Sequence, residues 1–164
     1  MANNTVRGLI QRDSVMILMT LIRKKKYCLD DYLDMGWGSK TTFFEVIQNI
    51  RDAIIDLNLP YFLEINQNNE YSLFVTTESL EIEKFYELSD DTKNKYSLII
   101  LMYMFNRKIK MDMSILRNII PNKSDKTIRR TIESLNIIYE SLDIGHHIES
   151  KRKGNNYFYS LTKY

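Results

Sequence analysis

Ser39-Lys40-Thr41-Thr42-Phe43-Phe44-Glu45-Val46-Ile47-Gln48-Asn49-Ile50 and Ser124-Asp125-Lys126-Thr127-Ile128-Arg129-Arg130-Thr131-Ile132-Glu133-Ser134-Leu135 are two versions of one helix opening, set 85 positions apart. Each starts on a serine suited to cap a helix and continues with apolar residues at helical spacing. The register runs on without a gap: Leu57 falls on Leu142, Leu59 on Ile144 and Leu63 on Ile148. Beyond it, Tyr71-Ser72-Leu73 matches Tyr159-Ser160-Leu161 at an offset of 88, so the second copy carries three extra residues where a hairpin tip is expected. Repetition on this scale sets the architecture before any single motif does.

Working outward, both copies keep one order of elements. In the first, Asp13 or Ser14 is placed to cap a helix with Val15, Ile17, Leu18, Leu21 and Ile22 at helical spacing, closing at Arg23-Lys24-Lys25-Lys26. A short helix over 29–35, which Asp30-Asp31 can cap, stops at Gly36-Trp37-Gly38. The helix that Ser39 opens ends at Asn58-Leu59-Pro60, and a hairpin over 61–66 and 71–75 turns at Gln67-Asn68-Asn69. In the second, Asp90 or Asp91 caps a helix through Tyr96, Leu98, Leu101 and Phe105, a short helix spans 113–119, and Pro121-Asn122-Lys123 is the turn. Ser124 or Asp125 then caps a helix that turns Ile128, Ile132, Leu135 and Tyr139 inward, and a hairpin runs from His146 past Tyr159. Residues 78–88 read as an acidic amphipathic linker helix. The expected fold is mainly α with small β-hairpins, an α+β chain of two domains, 1–75 and 90–164, joined by a linker helix within 76–89.

Composition agrees with two small soluble domains. The chain has 164 residues, 44% hydrophobic and 27% charged, with no apolar run near the roughly 18 residues of a membrane span. Met1-Ala2-Asn3-Asn4 lacks the charged and apolar regions of a signal peptide. Cys28, the one cysteine, has no partner for an internal disulfide, which points to a reducing cytoplasm. The net charge of +2 is divided: residues 13–75 carry 6 basic against 9 acidic side chains, and residues 96–164 carry 12 against 6. A polyanion would meet the second copy.

Three helices followed by a two-stranded hairpin resemble the winged helix-turn-helix arrangement. The two quoted stretches, each a serine and a threonine ahead of an Ile-rich helix, resemble the recognition-helix signature of bacterial regulators. The likeness is to the DNA-binding half of Mga-type and related PRD-containing transcription regulators, which place two such modules in tandem; the one-module form is shared by DeoR-like repressors. The resemblance covers most of residues 13–164 and implies a cytoplasmic, nucleoid-associated transcriptional regulator. The chain ends at Tyr164, directly after the second hairpin, without the effector-sensing domains of that group. This fits a stand-alone regulator or the N-terminal part of a longer one.

The candidate DNA contacts follow from chemistry and register. On the second copy's helix, about 124–142, Lys126, Thr127, Arg129, Arg130 and Glu133 lie away from the apolar ladder near the N-terminal end, the part of a recognition helix that meets base edges. Arginine pairs with guanine, while lysine and threonine hold phosphate. The basic wing, about 148–161, adds Lys151, Arg152 and Lys153 beside Gly154-Asn155-Asn156. In the first copy Phe44 and Glu45 stand in place of Arg129 and Arg130, and the tip is neutral; its candidates are Lys40, Thr41, Thr42, Phe44 and Gln48, with Asn49 near them. That copy reads as a supporting DNA module or a protein-binding surface, with Phe44 on a thymine methyl or packed under a neighbour.

Competing uses of the fold are a condensin-accessory type of tandem winged-helix interaction module, which would not require the paired basic helix and wing, and a plasmid-type replication initiator, a class usually longer than this chain. Palindromic half-sites would call for a homodimer, whereas two covalently joined modules can read a split site as a monomer. No phosphate loop, nucleophile elbow or zinc-protease helix is present, so the chain is not read as an enzyme, and no cofactor or small-molecule site is evident. His146-His147 opens a strand, which sends the two rings to opposite faces and argues against a shared metal. Trp37 reads as a core plug closing its turn, and the eight methionines as core filler.

Overall fold

Helix length is fixed from both ends in each copy of the repeat. The computed structural model describes residues 2–23, 25–76 and 80–163, with side chains from Leu9 onward. Within these, the chain is α+β, with seven helices and two small antiparallel sheets, and it divides into two compact units, Met1–Leu80 and Glu81–Tyr164. No helix of the described residues is long and apolar enough to cross a membrane.

The first unit contains α1 (Ala2–Ile22), α2 (Leu29–Asp34), α3 (Lys40–Asp56), β1 (Tyr61–Ile65) and β2 (Tyr71–Val75). Ser39 caps α3 by accepting a hydrogen bond from the Thr42 N–H at 3.3 Å. The other end closes at Asn58, which takes a left-handed φ of 52° so that the Leu59 N–H reaches back to the Ile54 carbonyl at 3.0 Å. The aromatic ring of Phe43 then packs among Tyr32, Tyr71 and Tyr27, with ring centroids 5.4, 6.0 and 6.5 Å away. Tyr27 also makes an isolated antiparallel bridge to Tyr71, beside the β1–β2 hairpin.

Two expectations change here. The first helix does not begin at Asp13 or Ser14 but runs from Ala2, and both residues are buried in it. They are tolerated because each is hydrogen-bonded, by a neighbour in α1 and by α2 and α3. The Tyr32 hydroxyl donates to Asp13 Oδ2 at 2.8 Å, Arg12 binds Oδ1 at 3.1 Å, and Asn49 donates to Ser14 Oγ at 2.8 Å. Burial, then the bond to Asp13, pushes the Tyr32 hydroxyl above its usual range, so it stays a donor. Trp37 is half-buried and lies under the Arg12 guanidinium, 4.7 Å from its ring centroid, rather than plugging the core. Lys24, within the basic run, lies outside the described residues.

The second unit contains α4 (Glu83–Tyr86), α5 (Asp90–Asn106), β3 (Met111–Asp112), α6 (Met113–Ile119), α7 (Asp125–Ser141), β4 (His146–Lys153) and β5 (Asn156–Lys163), with sheet order β3-β5-β4. Helix α7 is α3 over again: 17 residues, a cap in which Ser124 accepts from the Thr127 N–H at 3.2 Å, and a left-handed Asp143 with φ 50°. Ser89, not Asp90 or Asp91, caps α5. The linker helix is one turn, Glu83–Tyr86; Glu78 lies outside the described residues. It stays short because Phe85 turns into this unit's core against Tyr103, ring centroids 5.7 Å apart, while Lys93 binds the Tyr86 carbonyl at 2.9 Å. Strand β3 has no period to betray it in sequence; it pairs Met111 with Tyr159, as Tyr27 pairs with Tyr71 in the first unit.

Asn136 of α7 fastens the helix to the hairpin, donating to the Ile148 carbonyl at 3.1 Å and accepting from its N–H at 2.6 Å. In the first unit, a Cβ added at Gly38 would run into the Tyr32 hydroxyl, which Asp13 holds in place, and approach Thr42 Cβ to 3.2 Å. Gly38→Ala is therefore expected to destabilise the protein by about 1–3 kcal/mol in urea unfolding, the range for an overpacked core. An unchanged midpoint would mean that Tyr32 is free to move.

Candidate nucleic-acid interface

With about 100° between successive residues, α7 presents three distinct faces. Ile128, Ile132, Leu135, Ile138 and Tyr139 are buried. Lys126, Arg130 and Glu133 lie directly opposite, exposed, their side chains without a partner among the described residues. A flank between these faces carries Asp125, Arg129 and Asn136, and each of them binds a neighbouring element. Asn136 takes β4, Asp125 takes Arg117 of α6, and the Arg129 guanidinium lies 5.7 Å from the ring centroid of Tyr157 on β5.

The hairpin sorts its cations by the two-residue alternation of a strand. Arg152 is on the same side of β4 as buried Ile148, opposite Tyr157, and its guanidinium is 6.0 Å from the same tyrosine ring. Tyr157 is thus shared by one arginine from the helix and one from the hairpin. Lys151 and Lys153 point to the other side, where Lys151 makes only a loose, exposed contact with Glu149 at 4.0 Å. Lys110 joins that side, its ammonium 5.0 Å from the Phe158 ring. Gly154 and Asn155 form the whole turn; Gly154 has φ 64°, open to glycine without strain, and Arg152 Nε donates to its carbonyl at 3.0 Å.

Arg117 and Asp125 form a two-pronged ion pair, Nε to Oδ1 at 3.0 Å and Nη2 to Oδ2 at 2.8 Å. The hydrogen bonds from Arg117 hold the Asp125 carboxyl below the usual carboxylate range, with Arg117 and Arg129 adding charge attraction. The pair ties α6 to the first turn of α7. Around it Asp112, Ser114, Arg129, Asn155, Asn156 and Tyr157 line a cleft of about 250 Å³.

The first unit has a cleft of about 400 Å³ at the repeat-equivalent place, between the starts of α2 and α3 and the hairpin tip. There Lys40 stands for Asp125, Phe44 for Arg129, Asn68 for Asn156 and Asn69 for Tyr157. Phe44 is 48% exposed and stacks edge-on against Phe43. The outward stripe of α3 is Thr41, Glu45, Gln48 and Asp52, with Gln48 donating to Asp52 at 2.9 Å. The clefts occupy repeat-equivalent places; Phe44 and Ile65 make the first the more apolar, while Arg117, Asp125 and Arg129 gather charge at the second.

Of the sequence-nominated residues, Lys126, Arg130 and Glu133 share the free face of α7, whereas Arg129 and Arg152 meet at Tyr157 and Asn155 lines the cleft beside them. Thr127 and Thr42 are partly engaged, their hydroxyls 3.0 and 3.1 Å from the capping serines. Lys40 and Phe44 line the first cleft, Thr41 is exposed, and Asn49 faces Ser14. The ring of His146 meets the Ile144 carbonyl at 3.1 Å and that of His147 the Thr162 hydroxyl at 3.4 Å. Sequence reasoning missed Tyr157, Arg117 and Lys110. A two-residue turn at Gly154-Asn155 places Tyr157 opposite Arg152, so that residue was findable from turn chemistry. Comparison with known proteins finds no matching family model, no similar curated protein and no similar solved structure.

An NMR pH titration is expected to place the Asp125 carboxyl below the usual carboxylate range. Replacing Arg117 by Gln should raise it toward the ordinary range, with the attraction of Arg129 left in place. Because the folded-state value is the depressed one, the pair adds stability above the unfolded-state carboxylate range and loses it as pH falls through the folded value. A titration of Asp125 indifferent to Arg117→Gln would show that the pair does not persist in solution.

Proposed function

We propose that the chain is a sequence-specific duplex-DNA-binding protein acting as a transcriptional regulator, built of two winged helix-turn-helix modules, and that the second module makes the DNA contacts. The observation that carries this is the bridge of Arg129, Tyr157 and Arg152 beside the free stripe of Lys126 and Arg130. It ties a basic helix to a basic hairpin within one unit, which supports a helix in a major groove with a wing along the backbone. In this reading the start of α7 enters the groove, and Lys151 and Lys153 neutralise phosphates, releasing counterions. The short helix α6 and the turn before Ser124 hold α7 at its entry angle through Arg117 and Asp125.

The first module is assigned a different role. Its outward stripe carries Glu45 and Asp52 where the second has Arg130 and Ile137, and acidic groups there would meet phosphates with like charge. Its cleft exposes Phe44 and Ile65, which favours an apolar contact with a protein partner.

Fluorescence anisotropy with duplex DNA tests the assignment. Binding is expected to weaken steeply with salt, and Lys151→Ala with Lys153→Ala should lower the slope of log K against log salt by about 1–2, weakening all sequences alike. Glu45→Lys in the first module should leave the slope for a short specific duplex unchanged. Absence of salt-sensitive binding at micromolar protein would refute DNA binding.

A further inference from the structure

We infer that the module reads G·C base pairs through Arg130 and Glu133, and that Arg129 reads none. This rests on the DNA-binding reading above and names the sequence class of the ligand. Neighbouring in sequence, the two arginines are separated by the helix into different environments. Arg129 is on the flank, next to Tyr157 and one turn after Asp125, whose carboxylate already holds Arg117. Its guanidinium is positioned at the junction of helix and hairpin, where a backbone phosphate or sugar passes rather than a base edge.

Arg130 is on the free face, with Lys126 one turn before it and Glu133 nearly one turn after it. Three residues of helix advance about 4.5 Å, close to the ~3.4 Å step between base pairs. Arg130 and Glu133 therefore address neighbouring steps. The fork of an arginine fits guanine O6 and N7, and a carboxylate accepts from the amino group of cytosine N4. A glutamate in a field of phosphates is unfavourable unless it meets a donor, and cytosine N4 is the base donor that suits it. Lys126 extends the same preference to a guanine on the N-terminal side. The predicted target core is a short run of G·C pairs, with guanine opposite Arg130 and cytosine opposite Glu133.

Selection of bound duplexes from a random library, run on the full chain and on three variants, tests this. The unaltered protein is expected to enrich sites with adjacent G·C pairs at the core. Arg130→Gln should change one guanine to adenine and leave the rest of the motif, since glutamine pairs with adenine N6 and N7; discrimination at that position should be roughly 5- to 150-fold, as for one bidentate contact. Glu133→Gln should erase the cytosine preference at the neighbouring step. Arg129→Gln should weaken binding to every site and leave the motif as it was. Circular dichroism confirms that each variant is folded, all three positions being exposed. An A·T core, a motif untouched by Arg130→Gln, or a motif altered by Arg129→Gln would each overturn the inference while DNA binding stood. Failure to enrich any duplex would overturn the DNA-binding reading itself.

Discussion

Both units depend on a helix whose ends are stopped by local capping rather than by neighbouring elements. A serine hydroxyl accepts the N–H three residues on, and a left-handed Asn58 or Asp143 folds the last turn back on itself. Both helices are 17 residues long for that reason, and the chain leaves each into a hairpin. The buried ladder on one face then fixes rotation about the axis. What remains exposed is determined by subtraction, and in α7 that remainder holds Lys126, Arg130 and Glu133.

The hairpin of the second unit is joined to its helix in two ways that differ in kind. Asn136 satisfies both backbone groups of Ile148, a polar clamp at the buried end of the strand. Tyr157 provides the other, at the exposed end, where two guanidinium groups share one ring. The first fixes where the hairpin starts; the second sets how its tip leans. In the first unit Arg51 stands in the place of Asn136 and Asn69 in that of Tyr157, so neither link is repeated. A duplicated scaffold has thus kept its helix ends and core while losing or gaining the bridge between helix and hairpin.

Much of the fold was legible because its signals are local. Serine caps, apolar spacing and turn residues act over four or five positions, and they located α2, α3, α6, α7 and both hairpins. The start of α1 was missed for the opposite reason: Asp13 and Ser14 look like caps until Tyr32 and Asn49 are brought to them by the fold. The linker helix is shorter than its pattern for a like reason, since Phe85 packs in the core beside Tyr103. Strand β3 has only Met111 and Asp112, too few residues for any period to appear.

The candidate site divides along the same line. Residue type and helical register were enough to nominate Lys126, Arg129, Arg130 and the hairpin cations, and to show that the two copies differ there. Sequence alone determined the duplication, the helix boundaries set by capping, and which copy is basic, because each is written within a turn or two of chain. Tertiary structure decided what those cations do. Arg129 and Arg130 are equivalent in composition and adjacent in sequence, and only the packing of β5 and α6 against one flank of α7 engages the first and leaves the second free. Contacts between residues 28 positions apart, such as Arg129 and Tyr157, depend on how the elements pack, and no local pattern records them.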